Sequence, residues 1–176
     1  DILVNNAAFG MLPALAPIVD LAPEMFQKVM DVKVTGTYLC SQAVLRQMIS
    51  RGQGGKIINI SSVAGKRGGP NTLAYNAACF AVIGMTQSMA REVGSHNINV
   101  NCVCPGYVDT DMVRRDGIDQ TDDPQAAEQA IIDYAPLKRM STPGEIAKAI
   151  AYLASDDAAF ITGSALPIDG GSTAGH

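Results

Sequence analysis

Ser62 and Tyr75 stand thirteen residues apart, in the runs Asn59-Ile60-Ser61-Ser62-Val63-Ala64-Gly65 and Tyr75-Asn76-Ala77-Ala78-Cys79. A phenol can give a proton to a carbonyl oxygen or take one from an alcohol. Free tyrosine has a pKa of about 10, so it is a poor base near neutrality unless a cation stabilises the phenolate. A serine hydroxyl can donate a hydrogen bond to an oxygen on which charge develops. One helical turn after Tyr75 stands Cys79, which is neutral or anionic and cannot supply that cation. The plain alternatives are an ordinary helix tyrosine and a small buried helix cysteine. Ser61 reads as a structural hydroxyl at a strand end.

The elements that must position these residues alternate between strand and helix. Ile2-Leu3-Val4 is a short apolar run consistent with a buried strand, ended by Asn5-Asn6-Ala7-Ala8. Phe9 to Pro23 holds three prolines and reads as irregular. From Glu24 to Ser50 the apolar spacing predicts a helix, stopped by Gly52 to Gly55. Lys56 to Ile60 is a second strand, followed by a Gly-rich loop to Pro70. A helix from about Leu73 to Val93 carries Tyr75 in its first turn. Asn97 to Val103 alternates apolar and polar residues as a third strand, broken by Pro105-Gly106. Asp123-Pro124 reads as a cap and first helical residue, and Thr142-Pro143-Gly144-Glu145 as a capping box opening a helix to about Ala154. Ser164 to Ile168 is a last strand. This order predicts a parallel, doubly wound α/β sheet.

Four ordered motifs carry a resemblance. They are the Ser62-to-Tyr75 spacing, the Asn5-Asn6-Ala7-Ala8 turn, Pro105-Gly106-Tyr107-Val108-Asp109-Thr110, and the closing Ile168-Asp169-Gly170-Gly171. Together they resemble the short-chain dehydrogenase/reductase family, with essentially the whole chain matching the later two-thirds of a member. The resemblance implies a truncated Rossmann-like sheet lacking its first strands, so that residues 1–176 form one N-terminally incomplete domain. It implies an oxidoreductase using NAD or NADP on an alcohol/ketone pair: a polyol, diol, sugar alcohol or 3-oxoacyl group. Ser62 and Tyr75 take the catalytic places. Cys79 occupies the family's Lys position, and Lys33 in Asp31-Val32-Lys33-Val34-Thr35-Gly36 occupies its Asn position. Asn6, Ala7, Tyr75, Pro105, Gly106, Val108 and Thr110 fall on the cofactor side, with the Val108 backbone and Thr110 hydroxyl toward the carboxamide. The Gly-rich turn that holds the pyrophosphate at a helix N-terminus has no counterpart in these residues; Gly65 to Gly69 reads as a loop beside the active site.

The departures carry expectations of their own. The isolated chain should have little or no activity. The Ile2-Leu3-Val4 strand should present an open edge that invites another chain. Lys33 could approach Tyr75 and replace the lost cation; alternatively both positions have drifted in a chain no longer catalytic.

The net charge of −4 gives no basic field for nucleic acid. The four cysteines and two histidines, His96 and His176, show no metal spacing, so no metal is expected. No apolar run reaches the roughly 18 residues that cross a bilayer, and a cytoplasmic setting is expected. Thr110 to Arg139 matches the family's variable substrate lid, with Leu12, Tyr107 and Met112 as pocket walls and Asp116, Asp119, Asp122 and Asp123 as a solvated face. The competing function class is a non-catalytic oligomerisation module. Helices 24–50 and 73–93 would pair through small residues such as Gly36, Ala43, Ala77, Ala78 and Gly84.

Overall fold

The computed structural model describes residues 1–10, 14–115 and 117–174; Leu12, Asp116 and His176 lie outside the described residues. Four strands, β1 (Ile2–Asn5), β2 (Gly55–Ile60), β3 (Ile98–Pro105) and β4 (Ala165–Ile168), form one sheet in the order β1-β2-β3-β4. The helices around it are α1 (Pro23–Met30), α2 (Gly36–Arg51), α3 (Leu73–Val93), the single turn α4 (Asp111–Arg114), α5 (Pro124–Tyr134) and α6 (Pro143–Ala154). Every strand pairing is parallel, with Val4 beside Ile58, Ile58 beside Asn101 and Cys102 beside Ala165. Such strands are covered on both faces and need apolar residues on each. On one face Ile57 and Val100 pack with Met48 of α2 and with Ala90 and Val93 of α3. On the other, Ile58 and Val103 pack with Ile146 and Leu153 of α6. The doubly wound arrangement expected from the element order is therefore present.

The alternation in β3 has a different meaning from the usual apolar-in, polar-out pattern. Residues Ile98 to Cys104 are all buried. Asn99 and Asn101 are tolerated because their amides meet backbone groups of the chain entering β4. Asn99 Nδ2 donates to the Ala159 and Ile161 carbonyls at 2.9 and 3.1 Å, Asn101 Nδ2 donates to Ile161 at 2.7 Å, and Asn101 Oδ1 accepts from Ser164 N–H at 3.1 Å. Buried amides satisfied in this way fix the register of β4 instead of costing stability.

The long helix expected from Glu24 is interrupted. It runs as α1, then a π turn (Asp31–Thr35), then α2. A π turn inserts an extra residue and rotates the helix beyond it, and such turns cluster at functional sites. The caps of the later helices match the sequence. In α6, Thr142 and Glu145 exchange side-chain and backbone bonds, and in α5 Asp123 accepts from Ala126 N–H at 3.0 Å. At the sheet's edge β1 pairs only with β2 among the described residues, and Ile2 is 59% exposed.

Candidate active site

In an open parallel sheet, ligands collect beyond the carboxyl ends of the strands. Ser62 follows β2 there, with Asn6 and Ala7 following β1 and Gly106 following β3. The Ser62 backbone is extended, and its Oγ accepts from Ala64 N–H at 3.2 Å, starting a tight turn over Val63–Gly65. That turn is pinned to α3. Ser61 Oγ donates to the Cys79 carbonyl at 2.9 Å, and a Cβ at Gly65 would lie 2.8 Å from both that carbonyl oxygen and Ser61 Oγ. Only glycine allows this approach, and the approach sets Ser62 against the first turns of α3. Asn76 Nδ2 reinforces it by donating to the Arg67 carbonyl at 2.7 Å.

Tyr75 is the third residue of α3 and half-buried. Besides burial, the Ser62 and Cys79 side chains are the groups that act on its phenol. Burial pushes its pKa far above the ordinary tyrosine value; Cys79 pushes the same way electrostatically and Ser62 opposes. The Cys79 thiol is itself raised by burial, with Lys33, Tyr75 and Ser61 pulling against it. A buried thiol held protonated is inert, so Cys79 reads as packing.

Lys33 sits in the π turn and is only 2% exposed. Its Nζ donates to the Ile60 carbonyl at 3.0 Å and lies 5.7 Å from the centroid of the Tyr75 ring. Its own carbonyl accepts from Thr37 Oγ1 at 2.7 Å, which anchors the turn. Burial lowers its pKa, and the thiols of Cys79, Cys102 and Cys104 work in the opposite direction. Cys102 and Cys104 lie on the α3-facing side of β3 with Val82, and all four cysteines are free.

The Pro105-Gly106 turn is held from β4. Gly106 N–H donates to the Ile168 carbonyl at 3.0 Å, and a Cβ there would meet Asp169 Cα at 3.0 Å. Asp169 in turn accepts from Gly171 N–H, Ser172 Oγ, Thr173 N–H and Thr173 Oγ1. The closing Asp-Gly-Gly motif thus braces the turn after β3. Next, Val108 bridges Ser141 through the Tyr107 carbonyl and the Asp109 N–H. Among the described residues the Val108 N–H has no hydrogen-bond partner, which leaves a backbone donor for a ligand amide. Thr110 Oγ1 is turned to the Val108 carbonyl at 3.3 Å. Asn6 and Ala7 are exposed just past β1.

Two features were missed in the sequence. One is a buried amide chain: Asn5 Nδ2 donates to Ser41 Oγ at 3.0 Å and to Asn59 Oδ1 at 2.8 Å, and Asn59 Nδ2 donates to Thr86 Oγ1 at 2.9 Å. It ties β1 and β2 to α2 and α3 directly beneath the site. The signal was an asparagine near the end of two neighbouring apolar strands, Asn5 in β1 and Asn59 in β2. The other is an aromatic stack over the site's rim. Arg67 lies 4.8 Å over Tyr134, whose ring meets Tyr107 edge-on at 6.1 Å, joining the Ser62 loop, helix α5 and the β3 turn.

A family model described as Enoyl-(Acyl carrier protein) reductase matches residues 1–173. The 3-oxoacyl-[acyl-carrier-protein] reductase MabA of Mycobacterium tuberculosis is 39% identical over 176 residues, covering 100% of this chain and 67% of the relative. A 3alpha-hydroxysteroid dehydrogenase of Mediterraneibacter gnavus is 42% identical over 170 residues, covering 97% of this chain and 64% of the relative. The solved structure of 4-hydroxyisoleucine dehydrogenase complexed with NADH superposes with a TM-score of 0.86 at 36% identity, covering 100% of this chain and 70% of that one. The chain thus spans about two thirds of the length of these relatives. With sheet, motifs and relatives in agreement over its whole length, the chain belongs to the short-chain dehydrogenase/reductase family.

Proposed function

We propose that the chain carries the proton-transfer half of an alcohol/ketone oxidoreductase that uses NAD or NADP. The observation that carries this reading is the Gly65-pinned turn that sets Ser62 beside the first turns of α3, where its hydroxyl acts on the Tyr75 phenol. Ser62 holds the substrate oxygen, and Tyr75 exchanges a proton with it. Because burial keeps the phenol protonated through the neutral range, Tyr75 is poised to donate. Polyols, diols, sugar alcohols and 3-oxoacyl groups are the product and substrate classes to try.

The residues present fit the nicotinamide end of the cofactor. Asn6, Ala7, Tyr75, Pro105, Gly106, Val108 and Thr110 would line it, and the unpaired Val108 N–H suits a carboxamide oxygen. When bound, the nicotinamide supplies the hydride. Cys79 brings neither charge nor reach to a ribose, and the chain's residues include no Gly-rich pyrophosphate turn. The action of residues 1–176 as one domain is also part of the proposal.

The test is titration of NADH and NADPH into the chain, followed by turnover on a ketone panel. Tyr75→Phe is expected to cut kcat by about 10²- to 10⁴-fold without changing the melting temperature. A Tyr75→Phe chain as active as the parent would refute the assignment.

Self-association is the second reading, and the surface supplies its support. Tyr38 and Leu39 on α2 and Phe80 on α3 are 50%, 54% and 47% exposed. Large apolar side chains left open on neighbouring helices suit a helix-on-helix contact between copies. Sedimentation velocity decides it: a monomer at all concentrations rejects the contact. A stable oligomer that binds no nicotinamide favours the non-catalytic module.

A further inference from the structure

The site holds a buried cation with no carboxylate beside it. Lys33 Nζ has one hydrogen bond, to the Ile60 carbonyl of β2, and no salt bridge among the described residues. The titratable groups facing it are Tyr75 and Cys79 from α3 and Cys102 and Cys104 from β3. A buried ammonium without an anion is costly, so a fold that keeps one places it where negative charge appears. Burial raises the Cys79 thiol, and the contact with Cys104 together with burial raises Cys102, whereas Cys104 is lowered by its bond with Cys102. Of the groups around Lys33, Tyr75 is the one that loses a proton during ketone reduction.

We propose that Lys33 is the cation of this active site, reaching the Tyr75 ring from the helix across the cleft and holding the charge left on the phenol oxygen. The inference rests on the oxidoreductase reading. In the reducing direction the carbonyl carbon gains the hydride of a reduced nicotinamide, and the carbonyl oxygen gains the Tyr75 proton. Tyr75 is left as phenolate, balanced by the Lys33 ammonium until solvent returns a proton. Lys33 acts through Tyr75 and does not touch the substrate. The π turn is the device that aims it: the extra residue and the Thr37 bond to the Lys33 carbonyl turn the side chain inward, toward Ile60 and Tyr75. The positive charge missing at Cys79 of α3 is thus supplied from the turn between α1 and α2.

Two measurements test it. Kinetically, Lys33→Met is expected to lower kcat about 10- to 100-fold with KM unchanged. The parent's rate should fall as pH rises through the lowered Lys33 pKa, a limb that Lys33→Met abolishes. Recovery on adding Cys79→Lys to Lys33→Met supports the proposal. A Lys33→Met chain with the parent's kcat and pH profile overturns it. Spectroscopically, the chain without cofactor is labelled at tyrosine Cζ and lysine Cε with carbon-13. The Tyr75 signal should show a small step at the Lys33 midpoint, absent in Lys33→Met. No step, or one that survives the substitution, overturns the coupling. If the parent turns over no ketone, the oxidoreductase reading falls and the labelling result alone decides whether the Lys33 charge reaches Tyr75. Should Lys33→Met not fold, coincidence of the two midpoints in the parent takes its place: a shared midpoint supports the proposal and a flat Tyr75 signal overturns it.

Discussion

The cations of the proposed lid, residues 110–139, and the cation of the core obey opposite rules. Arg114 pairs with Asp109 and Glu128 at a part-buried surface position, and Arg139 forms two bonds to the Glu145 carboxylate at 2.8 and 2.6 Å in the open. Those pairs are well formed, yet water screens them and they add little to stability. Lys33 has no carboxylate partner and lies out of water. The paired charges are where a solvated surface would put them, whereas the lone charge is where stability alone would not. A charge kept in spite of its cost is the better pointer to chemistry, and here it stands 5.7 Å from the centroid of the Tyr75 ring.

The comparison is broken or sharpened most strongly at Lys33 itself. Replacing a buried, unpaired ammonium by an apolar chain of similar size should raise stability. Lys33→Met is expected to gain about 1–4 kcal/mol in urea unfolding while losing turnover. A loss of stability would mean that the ammonium is a structural tie to Ile60 and would erase the contrast with the lid. Next in size is Gly65→Ala. Its Cβ would overlap the Cys79 carbonyl and Ser61 Oγ, and the loop must shift. The expected cost is about 1–3 kcal/mol, with kcat falling because Ser62 moves off Tyr75; unchanged urea unfolding and unchanged kcat would show the turn to be slack.

The pH dependence of stability comes third in size and has two opposed parts. Lys33 has a folded pKa below its unfolded one, so between those values the unfolded chain holds the extra proton. Stability therefore rises with pH through the lowered Lys33 value and levels off at the ordinary one. Tyr75 has a folded pKa above its unfolded one, so stability falls as pH climbs past the ordinary tyrosine value. Urea midpoints measured across the alkaline range should rise and then fall, and Lys33→Met should remove only the rise. The smallest effect is expected in the lid. Arg139 holds the exposed Glu145 carboxyl down to about 2, yet Arg139→Ala should leave the melting temperature nearly unmoved. A large drop there would show that the surface pair is not screened and that lid and core do not differ in this way.

Most of the frame was legible from local pattern. The strand runs at Ile2, Lys56, Asn97 and Ser164, the helix carrying Tyr75, and both caps, at Asp123 and Thr142, appear where spacing puts them. These depend on neighbours a few residues apart, so a linear reading reaches them. The approach of the Ser62 loop to the helix carrying Tyr75 was also accessible, because one short loop pinned by Gly65 joins their elements. The alternation of residues 97–103 located the third strand, but not why its asparagines are there: β3 is buried on both faces and its amides serve the chain entering β4.

By itself, then, the sequence determined the order of strands and helices and the family. Each is encoded in residue types at short fixed spacing. Only the tertiary structure decided that Lys33 reaches the Tyr75 ring, that Asn5, Ser41, Asn59 and Thr86 join in one buried chain, and that Asp169 braces the Gly106 turn. Those contacts bring together residues from separate elements, and their geometry depends on how α1, the π turn and α2 pack across the sheet from α3. Packing is a property of the assembled interior, where the energy of a charge or an amide is set by neighbours distant along the chain.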